Sequence, residues 1–147
     1  MARRWSRRRA GWLAGLCIVA ACSVLGATTL SAQEGTGTLV SRAIEHENAG
    51  RHAEAIATWR EAIRAGAVLP GVLGLERTYA MIGDEAALLP LLDSLIPNFP
   101  ADAQMRGVQL RTLVVAGRHA DARRAFAAWR DLRPQDVTPY RDFARVL

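Results

Sequence analysis

The chain has 147 residues, enough for one domain, and half of them are hydrophobic, enough to bury a core. Its formal charge of +5 equals the contribution of Arg3, Arg4, Arg7, Arg8 and Arg9; from Glu34 onward 14 arginines balance 14 acids, so the pI near 10.5 does not describe a nucleic-acid-binding surface. Lysine is absent, and both cysteines, Cys17 and Cys22, precede residue 33, which excludes a disulfide or a thiolate metal site from the rest of the chain.

Residues 10–33 carry no charge, and Gly11 to Leu30 is largely apolar. An arginine cluster followed by an apolar run is the order of an export signal, so residues 1–32 are expected to be a signal peptide or membrane anchor. Three outcomes fit: cleavage after Ala32, lipidation of Cys22 within Val19-Ala20-Ala21-Cys22, or retention as an anchor, since roughly 20 apolar residues span a bilayer. All three leave the arginines inside and the remainder outside the cytoplasm, in the periplasm or cell envelope. Arginine in place of lysine, with abundant alanine, suggests a GC-rich bacterial source. Residues 33–38 are expected to be a flexible lead-in; Gly35-Thr36-Gly37 has neither the preceding strand nor the third glycine of a nucleotide loop.

From residue 39 the pattern is helical throughout. A first helix over 39–49 ends near Gly50. A second, about 53–65, carries Ala55, Ile56, Trp59, Ala62 and Ile63 on one apolar stripe and stops at Gly66. Pro70-Gly71 opens a helix to about residue 82, lined by Leu75, Tyr79 and Ile82. Gly83 makes the next turn, with Asp84 as the expected N-cap. Leu88, Leu91, Leu92 and Leu95 form the following stripe, which Pro90 either kinks or delays until Leu89. Asp102 is placed to cap a helix over 103–116, and a helix over 120–132 turns Ala122, Ala125, Phe126 and Trp129 inward. Val137 to Leu147 reads as the first helix of a further hairpin, either a terminal cap or the point where a longer array continues.

Ala49-Gly50-Arg51-His52-Ala53-Glu54-Ala55 returns as Ala116-Gly117-Arg118-His119-Ala120-Asp121-Ala122, with a weaker copy at residues 82–88. The glycines of the three copies, Gly50, Gly83 and Gly117, are 33 and 34 residues apart, and Pro100-x-Asp102 recurs as Pro134-x-Asp136. A fixed period near 34 in a helical chain signals stacked hairpins. Charge is uneven along them: residues 34–102 carry five arginines and ten acids, residues 103–147 nine arginines and four acids. That asymmetry suits a steered contact or head-to-tail self-association.

These residues resemble tetratricopeptide repeats. The first unit, from Thr36, supplies Leu39, Ala43, Ala55 and Trp59; the second, from Leu69, supplies Leu75, Tyr79, Leu92 and Pro100. The third, from Ala103, supplies Leu110, Leu113, Ala122, Phe126 and Pro134; a partial fourth, from Val137, supplies Tyr140, Phe143 and Ala144. Arg42, Glu76 and Gln109 depart from the pattern, occupying slots where leucine or glycine is usual. The resemblance implies an all-α solenoid of about three and a half antiparallel helix-turn-helix repeats over residues 39–147. It also implies a concave groove that holds a peptide or partner helix. Groove positions include Arg77, Arg111 and Arg145, 34 residues apart, with Arg141 one turn before Arg145. Such a ladder suits carboxylates, which a guanidinium grips with two parallel hydrogen bonds.

No chemistry beyond binding is expected. His46, His52 and His119 are the only histidines; His52 and His119 occupy equivalent turns two units apart, too distant to share a metal, and neither belongs to a metalloprotease motif. Ser41 and Ser94 lack a base nearby in sequence, and Glu45 and Glu47 point to different helix faces. The sequence therefore predicts a non-catalytic protein-binding module of the bacterial envelope, without cofactor or metal. Its partner is a protein or peptide, acidic if the ladder is the site. Contact with a membrane would come only through the N-terminal segment, and nucleic acid is not expected.

Overall fold

The computed structural model describes residues 35–146; the segment holding Cys22 and the expected signal, and Leu147, lie outside the described residues. Among the described residues there is no strand, and the chain is all-α. Helix α1 spans 35–48, α2 His52–Arg64, α3 Val68–Ile82, α4 Leu89–Leu95, α5 Ala103–Val115, α6 His119–Leu132 and α7 Thr138–Val146. Short 3-10 segments, Glu85–Leu88 and Ile96–Asn98, lie before and after α4.

Four helices, α1, α2, α3 and α5, are followed by a glycine with positive φ: Gly50, Gly66, Gly83 and Gly117, at +71°, +105°, +71° and +71°. A side chain with a Cβ is strained in that conformation, so glycine is the residue that lets the chain reverse there. Three of these turns close with the same pair of backbone bonds. After α1, Gly50 N–H reaches Glu47 O and Arg51 N–H reaches His46 O, both at 2.9 Å. After α5, Gly117 reaches Val114 O at 2.9 Å and Arg118 reaches Leu113 O at 2.8 Å. The duplicated heptapeptide is thus a duplicated turn.

Helices adjacent in sequence pack on each other, α2 on α3, α5 on α6 and α6 on α7, while α3 also packs on α5 and α5 on α7. The main core runs through α1 to α5 and is built around Trp59, Leu75, Tyr79, Leu88, Leu92 and Met105. A smaller cluster joins Leu89, Leu113 and Ala122 with Phe143 packed against it. Phe126 stacks on Phe143 at 4.5 Å between ring centres and meets Tyr140 edge-on at 5.4 Å, fastening α6 to α7.

Several elements differ from the sequence-based expectation. Residues 35–38 are not a loose lead-in but the first turn of α1; once Leu39, Val40 and Ala43 hold that helix against the core, packing outweighs the roughly 1 kcal/mol disfavour of each glycine. Helix α3 begins at Val68, so Pro70 lies in its first turn, where an N–H would have no partner. Ile82 is exposed rather than lining the core. Asp84 makes no side-chain cap, since the chain enters a 3-10 turn there instead. Asp102 does cap α5, accepting from Met105 N–H at 2.8 Å, and α4 starts at Leu89 with Pro90 in the first turn.

One buried carboxylate ties the first three helices together. Glu47, near the end of α1, has a side chain only 4 % exposed. Trp59 Nε1 of α2 donates to Glu47 Oε1 and Arg77 Nε of α3 donates to Oε2, both at 3.0 Å. Thr78 Oγ1 also donates to Oε1; its one proton favours the charged acceptor over the Gly74 carbonyl 2.8 Å away. The Arg77 guanidinium also sits 5.8 Å from the Trp59 ring centre. Trp59 reaches this position because Gly74 has no side chain: a Cβ there would lie 2.2 Å from the indole Cε2.

Burial raises the Glu47 pKa, but the hydrogen bonds from Thr78, Arg77 and Trp59 outweigh it and hold the carboxyl below its ordinary value of 4.5. With the folded pKa depressed, the linked stability is fully present above the unfolded value and is lost as pH falls through the folded one. Urea unfolding followed by circular dichroism should show Glu47→Gln less stable by about 2 kcal/mol at pH 7. The deficit should shrink between about pH 5 and pH 3 as the wild type itself is protonated; an equal deficit at both ends would remove the charge from the explanation. Gly74→Ala should lower stability by about 2 kcal/mol or more through overpacking against Trp59. Gly107→Ala on α5, where the nearest atom is the mobile Arg111 Nη1 at 3.3 Å, should change it by about 1 kcal/mol or less. Equal melting temperatures for the two alanine variants would contradict this ranking.

Candidate functional site

The spacing i, i+4, i+8 puts Val40, Ile44 and Asn48 on one side of α1, Leu73, Arg77 and Met81 on one side of α3, and Gly107, Arg111 and Val115 on one side of α5. Arg141 and Arg145 hold the corresponding positions on α7. Cross-helix ion pairs show that these sides adjoin: Glu47 of α1 meets Arg77 of α3, and Glu76 of α3 meets Arg111 of α5. The odd-numbered helices therefore share a surface, on which Ile44, Met81 and Val115 are exposed apolar side chains, Val115 by 62 %.

A cavity of about 210 Å³ opens on this surface between α3, α5 and α7, lined by Leu73, Ala103, Gln104, Gly107, Arg111, Thr138, Arg141 and Asp142. Gly107 is part of this lining, and a Cβ there would lie 3.3 Å from Arg111 Nη1 and 3.5 Å from Asp142 Oδ2. The cavity presents guanidinium N–H groups, a hydroxyl, an amide, an apolar wall and one carboxylate.

The arginines expected to form the ladder are present on one surface but are not equally available. Arg77 is committed to Glu47. Arg111 grips Glu76 with two parallel bonds, Nε to Oε1 at 2.7 Å and Nη2 to Oε2 at 3.0 Å. The Glu76 hydrogen bond raises the Arg111 pKa, against the opposing effect of burial. Arg141 and Arg145 share Asp142, at 3.2 and 4.0 Å, and remain 56 % and 71 % exposed. Two guanidinium groups facing one carboxylate leave this end of the surface with surplus positive charge.

The acidic partners Glu47, Glu76 and Asp142 were the residues that sequence reasoning missed. A signal existed for one: Glu76 departs from the repeat pattern and stands 35 residues before Arg111, one period plus one. The histidines stay apart from the cavity. His46 Nδ1 accepts from Arg51 Nε at 3.0 Å, and the Ser94 hydroxyl donates to Leu91 O at 2.7 Å. Among the described residues no group of three His, Cys, Asp or Glu side chains is placed to hold a metal ion.

No protein-family model matches the chain, and comparison with curated proteins finds no match.

Because Arg111 is about half exposed, its pair with Glu76 should contribute about 1 kcal/mol or less. Glu76→Gln should therefore leave urea-unfolding stability within that margin while freeing the Arg111 fork; a loss above about 2 kcal/mol would make the pair part of the scaffold.

Proposed function

We propose that this chain is a tetratricopeptide-like helical-repeat module that binds a protein or peptide segment outside the cytoplasm and catalyses no reaction. The observation that carries this reading is the surface shared by α1, α3, α5 and α7, where exposed apolar residues and a cavity of about 210 Å³ lie beside the unbalanced Arg141–Arg145 pair. An extended segment presents side chains and carboxylates at intervals that such a mixed surface can meet. The repeat period near 34, the duplicated turn and the packing of odd helices on one another support a superhelical stack with this surface as its groove. The arginine cluster and the uncharged residues 10–33 support export to the bacterial periplasm or envelope.

Self-association is the second reading, favoured by the acidic balance of residues 34–102 and the basic balance of residues 103–147. It would weaken as salt screens exposed charge.

Crosslinking of the tagged full-length chain in its native envelope, read by mass spectrometry, separates the two. A near-stoichiometric partner should be recovered with the wild type and with Arg124→Glu on α6, and should fall about tenfold with Arg141→Glu. Equal recovery with all three would remove the odd-helix surface from the argument. Recovery of the bait alone, crosslinked to itself and lost at about 1 M salt, would select self-association.

A further inference from the structure

A second cavity lies on a different part of the fold, between α2 and α4. The space there, about 270 Å³, is lined by Arg60, Ile63 and Arg64 of α2, Ala87 of the 3-10 segment before α4, and Pro90 and Leu91 of α4. Neither arginine has a carboxylate within 4.0 Å among the described residues. Arg60 Nη2 donates to the neutral Tyr79 hydroxyl at 2.8 Å. The acid between the two in sequence, Glu61, pairs with Arg42 of α1 at 3.3 Å. A cation in the last turn of a helix suits the helix dipole, which accounts for Arg64. It does not account for Arg60 one turn earlier, beside the same apolar walls.

We propose that this cavity is a docking site for an acidic peptide segment of a partner protein, which inserts one large apolar side chain between α2 and α4 and places flanking carboxylates on Arg60 and Arg64. The lining argues for an anchoring side chain with charge beside it: apolar Ile63, Ala87, Pro90 and Leu91 adjoin two guanidinium groups. The charge argues for an acidic partner: two guanidinium groups one turn apart, both unpaired with acid, match carboxylates flanking the anchor. The site is separate from the odd-helix surface, so the chain would hold two segments at once.

The test uses the full-length chain and a fluorescein-labelled peptide of sequence Glu-Asp-Leu-Phe-Glu-Asp, followed by fluorescence anisotropy. Saturable binding is expected, weakened about tenfold by Arg64→Glu and little changed by Arg141→Glu. A peptide with serine for both apolar residues, and one with glutamine and asparagine for the acids, should each also bind about tenfold more weakly. No saturation at about 1 mM wild-type chain, or equal affinity for Arg64→Glu, would overturn the proposal. Loss on Arg141→Glu instead would assign the peptide to the odd-helix surface and also overturn it.

Discussion

Glu47 is the constraint around which the first half of the fold is arranged. A carboxylate taken out of water needs several donors to remain charged, and α2 and α3 supply them to Glu47 of α1. Much else in the local sequence then has a reason. Trp59 must present its indole N–H inward, Gly74 must leave room for the ring, and Thr78 must stand one turn beyond Gly74. Arg77 serves twice, closing the charge and covering the indole face. Trp129 is equally buried, yet its indole N–H has no acceptor among the described residues. The two halves therefore share a turn design while differing in how their cores are fastened: a charged network in one, a stack of Phe126 on Phe143 in the other.

The arginine surface follows the same logic of pairing. Along the odd helices, each arginine of the period is met by an acid: Glu47 for Arg77, Glu76 for Arg111, and Asp142 for both Arg141 and Arg145. The ladder is thus largely neutralised at its start and carries surplus charge at its end. A recognition surface of this kind would not attract acid uniformly; it would orient a bound segment, drawing its most acidic part toward α7.

The helical class, the turn glycines and most helix limits were legible because they rest on local chemistry, which a sequence displays directly. Asp102 could be assigned as a cap and Pro90 as a first-turn residue on backbone grounds alone. What escaped were features settled by distant contacts. The helical state of residues 35–38 depends on the core beneath Leu39 and Val40, and composition suggested a linker. Pro70-Gly71 reads as the opening of a helix, yet α3 begins earlier, at Val68, and Gly71 leaves Ile63 and the Trp59 carbonyl room to approach. Three arginines of the candidate site were legible by period and Arg141 by helical spacing, but the partners of Arg77 and Arg111 lie 30 and 35 residues away, and of these only Glu76 leaves a trace in the repeat pattern.

The turns carry a consequence for how such a chain can grow. The reversals after α1 and α5 are closed by main-chain atoms and a glycine, with no side chain from elsewhere in the molecule required. The instruction to reverse is therefore contained in a few adjacent codons and travels with them. A stretch of gene copied in tandem would bring its own hinge and lengthen the array without redesign of the join. The Glu47 network behaves oppositely, since its four members are spread over 32 residues on three helices and a copy survives only if all of them are inherited together. Bends would then be the heritable module of this chain, and its buried charge a feature that successive copies lose.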